Sequence, residues 1–320
     1  MMTLPDTSTL LKHLSIILGK NGTPIEIISR NKFPDYSTFP VELIRCKVEE
    51  SRLVTLFCKY LGGLEPKNFD HRNGVEYEAK IYAEVLAKIP LSKITYYGHS
   101  QFMDSGETII VLEYLGDNLR VSYSTDPDVL LKAAEWIGRF HSLLESQAPA
   151  FVKTYDKQYY TFWLERFENL VYSFRVEHSY VTNIIDFFKQ NIEIFTSKPQ
   201  SIIHGEYYPI NILIRDGRIY PVDWESAAVG AGEIDLACLI EGWDKELTEN
   251  AKEVYLANRW SPGHNSNVAF EKRLLMAQLY LFFRWWPENF QKLSPKFQIH
   301  LIKRLEFFKK EIYVEDLFNK

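Results

Sequence analysis

The chain is poor in cysteine, has no long apolar run and no surplus of positive charge, and each lack closes off a class of protein. Its cysteines, Cys46, Cys58 and Cys238, are odd in number and show no paired spacing. That excludes a disulfide framework and a zinc knuckle and fits a reducing compartment. No stretch approaches the roughly 18 apolar residues needed to span a bilayer. The opening Met-Met-Thr-Leu-Pro-Asp has neither the basic nor the apolar segment of a leader peptide. The expectation is a cytoplasmic protein with no membrane partner. A formal charge of −5 argues against a nucleic-acid partner, because such binding is dominated by Lys and Arg on phosphate. Internal repeats and low-complexity segments are also missing. There is no His-Glu-x-x-His ligand pair, which makes a metal hydrolase the weakest enzyme reading. With 320 residues, one large domain or two smaller ones could each bury a core.

What is present centres on residues 201–225. Asp216-Gly217 separates two β-prone runs, and a two-residue type I′ turn needs φ > 0 at both central positions. This predicts a hairpin pairing Arg215 with Arg218, Ile214 with Ile219, Leu213 with Tyr220, Ile212 with Pro221 and Asn211 with Val222. Asp223 then falls beside Asn211 at the open end, since cross-strand neighbours lie about 4.5–5.5 Å apart. An amide oxygen and a carboxylate held together suit Mg2+, a hard cation that takes one or two protein carboxylates and leaves its other positions to water and phosphate. Glu206 brings another acid on the entering loop. Residues 201–250 carry ten acids against Arg215, Arg218 and Lys245. Such a run is either a solvated face or a surface that favours a cationic acceptor.

His204-Gly205-Glu206, then Asn211, then Asp223-Trp224-Glu225, Gly230 and Asp235-Leu236-Ala237 resemble the catalytic segment of the aminoglycoside and choline phosphotransferases. These are small-molecule kinases with a protein-kinase-like fold, and they carry Asp where this chain has Glu206. The resemblance implies an α+β, bilobal architecture. Residues 1–115 would form a nucleotide-binding lobe, and residues 116–320 a mainly helical lobe with the catalytic loop and acceptor site.

The rest of the chain reads accordingly. A short helix over 7–19 precedes strands over 24–29, 41–47, 53–60, 94–100 and 108–114, which predict a five-stranded antiparallel sheet with one helix packed on it. That helix, over 75–89, ends before Pro90. Glu78 falls in line with Tyr82, Val85 and Ile89, so a carboxylate aimed at a core needs a partner. By resemblance the partner is Lys59, steadying the nucleotide's α- and β-phosphates. The loop over 30–40 lacks glycine, and Ser37 and Thr38 are candidate phosphate contacts there. By the same resemblance, the backbone of Glu113 to Leu115 would hydrogen-bond the purine. Helices are expected over 126–145, 157–178, 180–195, 233–242, 246–258, 266–286 and 294–312. His141 and His204 read as structural, and Asp235 as an acceptor for donors around His204. Trp243, Arg284 and Trp285 line an acceptor pocket or pack in the core.

The resemblance implies transfer of the γ-phosphoryl group of ATP or GTP to a hydroxyl. Glu206 would orient that hydroxyl and take its proton, Asn211 and Asp223 would hold Mg2+, and Lys59 would neutralise the other side. Glutamate matches aspartate in unperturbed pKa but is one methylene longer, and a displacement of about 1 Å can cost on the order of 10²-fold in rate. The reading is therefore an active kinase of a small hydroxyl-bearing molecule. A nucleotide-binding module without turnover and a kinase of Ser or Thr in peptides are the alternatives.

Overall fold

A computed structural model describes residues 4–19, 24–33, 39–49, 52–61, 71–102, 108–116, 118–173, 178–260, 267–289 and 303–313. The expected phosphate contacts Ser37 and Thr38 lie outside the described residues. The chain divides into two compact units, each discontinuous in sequence. One comprises Met1–Val129 with Ile210–Ala227, the other Leu130–Pro209 with Ala228–Lys320.

The first unit opens with α1 (Thr7–Leu18), whose start is fixed by Asp6 accepting from the Ser8 and Thr9 amides at 2.8 and 3.0 Å. Strands β1 (Ile25–Lys32), β2 (Val41–Val48) and β3 (Arg52–Tyr60) follow, then α2 (Gly74–Lys80), β4 (Tyr96–Gln101) and β5 (Thr108–Glu113). The five strands form one antiparallel sheet in the order β1-β2-β3-β5-β4. Alternation along β2, β3 and β5 sends Ile44, Cys46, Leu56, Cys58, Ile109 and Val111 to one face, where Leu10, Leu14 and Ile17 of α1 cover them. Two helices, not the single one expected, therefore pack on the sheet. The other face carries Lys59, adjacent to Cys58 in the strand, and receives α2.

The expected helix over 75–89 changes winding twice. After α2 the backbone widens to a π turn over Ile81–Val85 and tightens to a 3-10 turn over Leu86–Lys88. Ile89, before Pro90, is extended at φ −90, ψ 142, as the proline ring requires of the residue preceding it. Glu78, Tyr82, Val85 and Ile89 are all buried, so the predicted stripe holds despite the altered winding.

A two-residue strand, β6 (Leu119–Arg120), completes the sequence-contiguous part of this unit. Helices α3 (Pro127–Leu144), α4 (Lys157–Ser173) and α5 (His178–Thr196) come next, followed by β7 (Ser201–Ile203). The hairpin of β8 (Ile212–Arg215) and β9 (Arg218–Pro221) belongs to the first unit and pairs with β6. Its register is the predicted one: Ile212–Pro221, Leu213–Tyr220, Ile214–Ile219 and Arg215–Arg218. Val222 N–H donates to the Asn211 carbonyl at 2.9 Å, and Asp216 and Gly217 take φ 50 and 70.

The second unit continues with β10 (Ala228–Gly230), which pairs with β7, then α6 (Glu233–Ile240), α7 (Lys245–Arg259) and α8 (Asn267–Asn289); a further helix covers residues 303–313. The expected stop at Trp286 is passed, because Pro287 sits within the last turn of α8 and costs that turn one N–H donor. Helix α8 packs against α4, α5 and α6. From Phe270 to Trp286 it is buried on nearly all sides, the pattern of a helix enclosed by its unit.

Candidate active site

In the first unit, strand β3 delivers Lys59 and α2 delivers Glu78, with 3% and 1% exposure. The Lys59 ammonium lies 2.8 Å from Glu78 Oε2, 2.6 Å from Asp223 Oδ1 and 3.1 Å from Glu225 Oε2, with the Phe39 ring 5.3 Å away. The expected Lys59–Glu78 pair is present, and two further acids join it. Burial works against the ammonium, yet the three carboxylates, Asp223 foremost, hold its pKa well above the ordinary lysine value. Burial raises Glu78, with Lys59 acting in the opposite direction. Burial, reinforced by the Asp223 charge, pushes Glu225 up to about 8.

The backbone explains how two acids at i and i+2 reach one amine. Asp223 is left-handed, at φ 70 and ψ 60, and Trp224–Ser226 then turn as a single 3-10 segment. That conformation is costly for a non-glycine residue, and α2 anchors the turn around it. Trp224 N–H donates to Glu78 Oε1 at 3.2 Å, Tyr77 Oη donates to the Ala227 carbonyl at 2.7 Å, and Asn73 donates to the Glu225 carbonyl through both backbone N (2.9 Å) and Nδ2 (3.1 Å). Arg72 Nε approaches Glu225 Oε1 at 3.3 Å. Glu225 is fully buried in this cluster. Its spacing from Asp223 was the visible signal, but only the left-handed residue between strand and turn aims both acids at Lys59.

Oxygen ligands of Glu78, Asp223 and Glu225 lie within 4.8 Å of one another. Three acids thus face two bases, Lys59 and Arg72. The Asp223 side chain is 35% exposed. An all-oxygen donor set with one accessible carboxylate fits a hard divalent cation such as Mg2+. Asn211, half-buried at the end of the 3-10 turn Pro209–Asn211, leads directly into β8.

The stretch assigned to the purine is partly engaged already. Glu113 N–H donates to the Thr95 carbonyl, and the Glu113 carboxylate accepts from the Thr95 amide and hydroxyl. The Leu115 carbonyl accepts from Arg215 Nη1 at 2.7 Å. These two backbone groups serve the fold.

In the second unit the loop bearing Glu206 is built on Asp235 of α6. Asp235 Oδ2 accepts the His204 amide at 2.6 Å and Oδ1 the Gly205 amide at 2.8 Å, as its expected structural role requires. Gly205 supplies φ 81 at a bend disfavoured for residues with a Cβ. His204 Nδ1 accepts the Glu206 amide at 3.3 Å, which makes it part of the loop's frame. His141 stands between Asp235 Oδ2 and Tyr255 Oη, 3.1 Å from each. Since a carboxylate only accepts, Nε2 carries the proton and Nδ1 accepts from the phenol. Glu206 is buried, and its Oε1 lies 3.6 Å from Arg284 Nη2. Arg284 was placed in an acceptor pocket or in the core; the structure buries it, with polar partners. Trp243 and Trp285 are half-buried.

The fold has the protein-kinase-like architecture found in small-molecule phosphotransferases. The choline kinase LicA from Streptococcus pneumoniae superposes with a TM-score of 0.62 over 95% of this chain and 98% of its own, at 14% identity. The GDP complex of an aminoglycoside 2'-phosphotransferase-IIIa gives 0.66 over 96% and 99%, at 12% identity. An amicoumacin kinase in complex with AMP-PNP, Ca2+ and Ami gives 0.62 over 96% and 94%, at 13% identity. No curated protein matches the sequence closely enough to count as a relative. The model of the phosphotransferase enzyme family matches residues 51–264, and the chain belongs to that family.

Proposed function

We propose that the protein transfers the γ-phosphoryl group of ATP or GTP to the hydroxyl of a small molecule. The observation that carries this reading is the Lys59 cluster: a buried ammonium held by Glu78 on α2 and by Asp223 at the hairpin end. Charge in a loose phosphoryl-transfer transition state spreads over phosphate oxygens, so catalysis is mostly positioning and electrostatics. Lys59 neutralises the α- and β-phosphates, and Glu78 holds its ammonium in place. Asn211 and Asp223 would hold Mg2+, which would supply positive charge to the nucleotide's phosphates, while Glu78 and Glu225 keep the Lys59 ammonium beside Asp223. Glu206 orients the acceptor hydroxyl and accepts its proton as the O–P bond forms. In this reading residues 1–115 are the nucleotide lobe, and residues 116–320 hold the catalytic loop and acceptor site. The backbone of Glu113 to Leu115 takes the purine with the groups the fold leaves it, since the Tyr114 N–H also donates to the Thr55 carbonyl, at 3.3 Å.

Fold neighbours, among them a choline kinase and an aminoglycoside phosphotransferase in complex with GDP and kanamycin, support a small hydroxyl-bearing acceptor. They give no support to a peptide acceptor. The described residues include no helix long and apolar enough to cross a membrane. The test combines thermal shift with Mg·ATP and Mg·GTP and a phosphoryl-transfer assay over amino alcohols, sugars and aminoglycosides. Stabilisation by a nucleotide with turnover of one acceptor class is expected. Stabilisation with no transfer to any alcohol would instead identify a nucleotide-binding module.

A further inference from the structure

Helix α8 buries two charges, Arg273 and Arg284; Arg273 is paired with Glu233 of α6 at 2.9 Å, and Arg284 lies further along. Arg284 is 3% exposed, among Leu281, Phe282, Phe283 and Trp286. A guanidinium there is costly unless hydrogen-bonded and paired. Its Nη1 donates to the Gly205 carbonyl at 3.2 Å and to Tyr280 Oη at 3.3 Å, and Nη2 donates to Tyr208 Oη at 3.4 Å. Tyr280 Oη is in turn 2.7 Å from Tyr159 Oη on α4. Three donor contacts thus fix the guanidinium, two of them on residues flanking Glu206. Its distance to Glu206 Oε1, 3.6 Å, is beyond hydrogen-bond length. Arg284 therefore acts on that carboxylate as a fixed charge.

We propose that Arg284 is a positioning residue for Glu206, the device by which this chain uses glutamate where related kinases carry aspartate. The inference rests on the phosphotransferase reading given above. The extra methylene adds one rotatable bond, and a freely rotating arm would carry the carboxylate off line. A buried guanidinium beside one carboxylate oxygen removes that freedom. Attraction between the two is stronger here than at a wet surface, because both are desolvated. Backbone support at Gly205 from the same side chain sets the loop and the carboxylate together.

The experiment is a double-mutant cycle. Arg284→Met and Arg284→Lys are made in the wild type and in Glu206→Gln, with kcat, both KM values and the thermal midpoint measured for each. Arg284→Met should lower kcat about 10- to 10²-fold, the scale of a small misplacement, with nucleotide KM unchanged. Arg284→Lys, which keeps the charge, should recover several-fold of that loss. In the Glu206→Gln background Arg284→Met should cost little more, because the carboxylate it positions is gone. The same fold-loss in both backgrounds, or losses that simply follow the thermal midpoint, would overturn the proposal. Should the methionine variant not fold, Arg284→Gln enters the same cycle. Crystal structures of the variants give a readout independent of turnover: the Glu206 carboxylate should leave its wild-type position, and an unmoved carboxylate would overturn the assignment. Wild-type protein that neither binds nucleotide nor transfers phosphate would sink the kinase reading, while the crystallographic comparison would still decide whether Arg284 holds Glu206.

Discussion

Around Lys59 three carboxylates crowd one ammonium, whereas around Asp235 one carboxylate is ringed by donors. The Asp235 oxygens accept two backbone amides and the His141 ring, so that cluster is complete as it stands. The Lys59 cluster sets three acids against two bases, and it includes a left-handed aspartate whose side chain is partly exposed. The difference separates a scaffold from a binding site. Groups that hold a loop satisfy one another, whereas the groups proposed here for phosphates and a cation are brought together on a strained backbone that the fold supports from behind.

That contrast can be broken at either end. The largest effect is expected from Asp223→Asn, which removes the accessible carboxylate while conserving shape. Transfer should fall to the limit of detection, with circular dichroism unchanged; wild-type rates would take Asp223 out of the site. Glu206→Gln comes next, with kcat lower by roughly 10²–10⁴-fold, the usual range for a positioned base, in a steady-state assay. If only acceptor KM rises, Glu206 is a binding residue. Lys59→Met tests the first cluster directly. Deleting the ammonium leaves buried acids facing one another, and loss of one partner from a buried ion pair costs roughly 3–5 kcal/mol. Urea unfolding should show a loss of that size, and a loss below about 1 kcal/mol would mean that the cluster's charges are effectively solvated.

The smallest effect sharpens the other side. Burial lowers the pKa of His141 from its ordinary 6.5, while Asp235 raises it, Arg259 lowers it and Glu233 raises it; Tyr255 hydrogen-bonds the ring. The unfolded chain therefore takes up a proton near pH 6.5 that the folded chain resists. Stability from this group is full above that pH and is lost as pH falls below it, on the order of 1 kcal/mol per unit. His141→Gln should flatten the slope between pH 6.5 and 5.5 in denaturant titrations. An unchanged slope would show that other groups carry it.

Local chemistry made part of this legible. Asp216-Gly217 admits one tight turn, so the hairpin register could be written down in advance, and the Glu78 stripe announced a buried carboxylate. The His204–Asp235 link followed from an acid expected to accept loop donors. Other features had no local signal. Strands β7 and β10 are three residues each and pair across a long separation. Helix α2 gives way to a π turn that no spacing in the sequence marks. Arg284 lies 79 residues from Gly205, in a helix whose pattern is that of ordinary core.

By itself, then, the amino-acid order determined which residues sit at strand ends, turns and helix stripes, because steric limits on φ and ψ act over a few neighbours. Only the tertiary structure decided that Asp223 and Glu225 share one ammonium and that a guanidinium backs Glu206. Those pairings arise because charges removed from water must find partners, and which partners come within reach is settled by how distant segments pack.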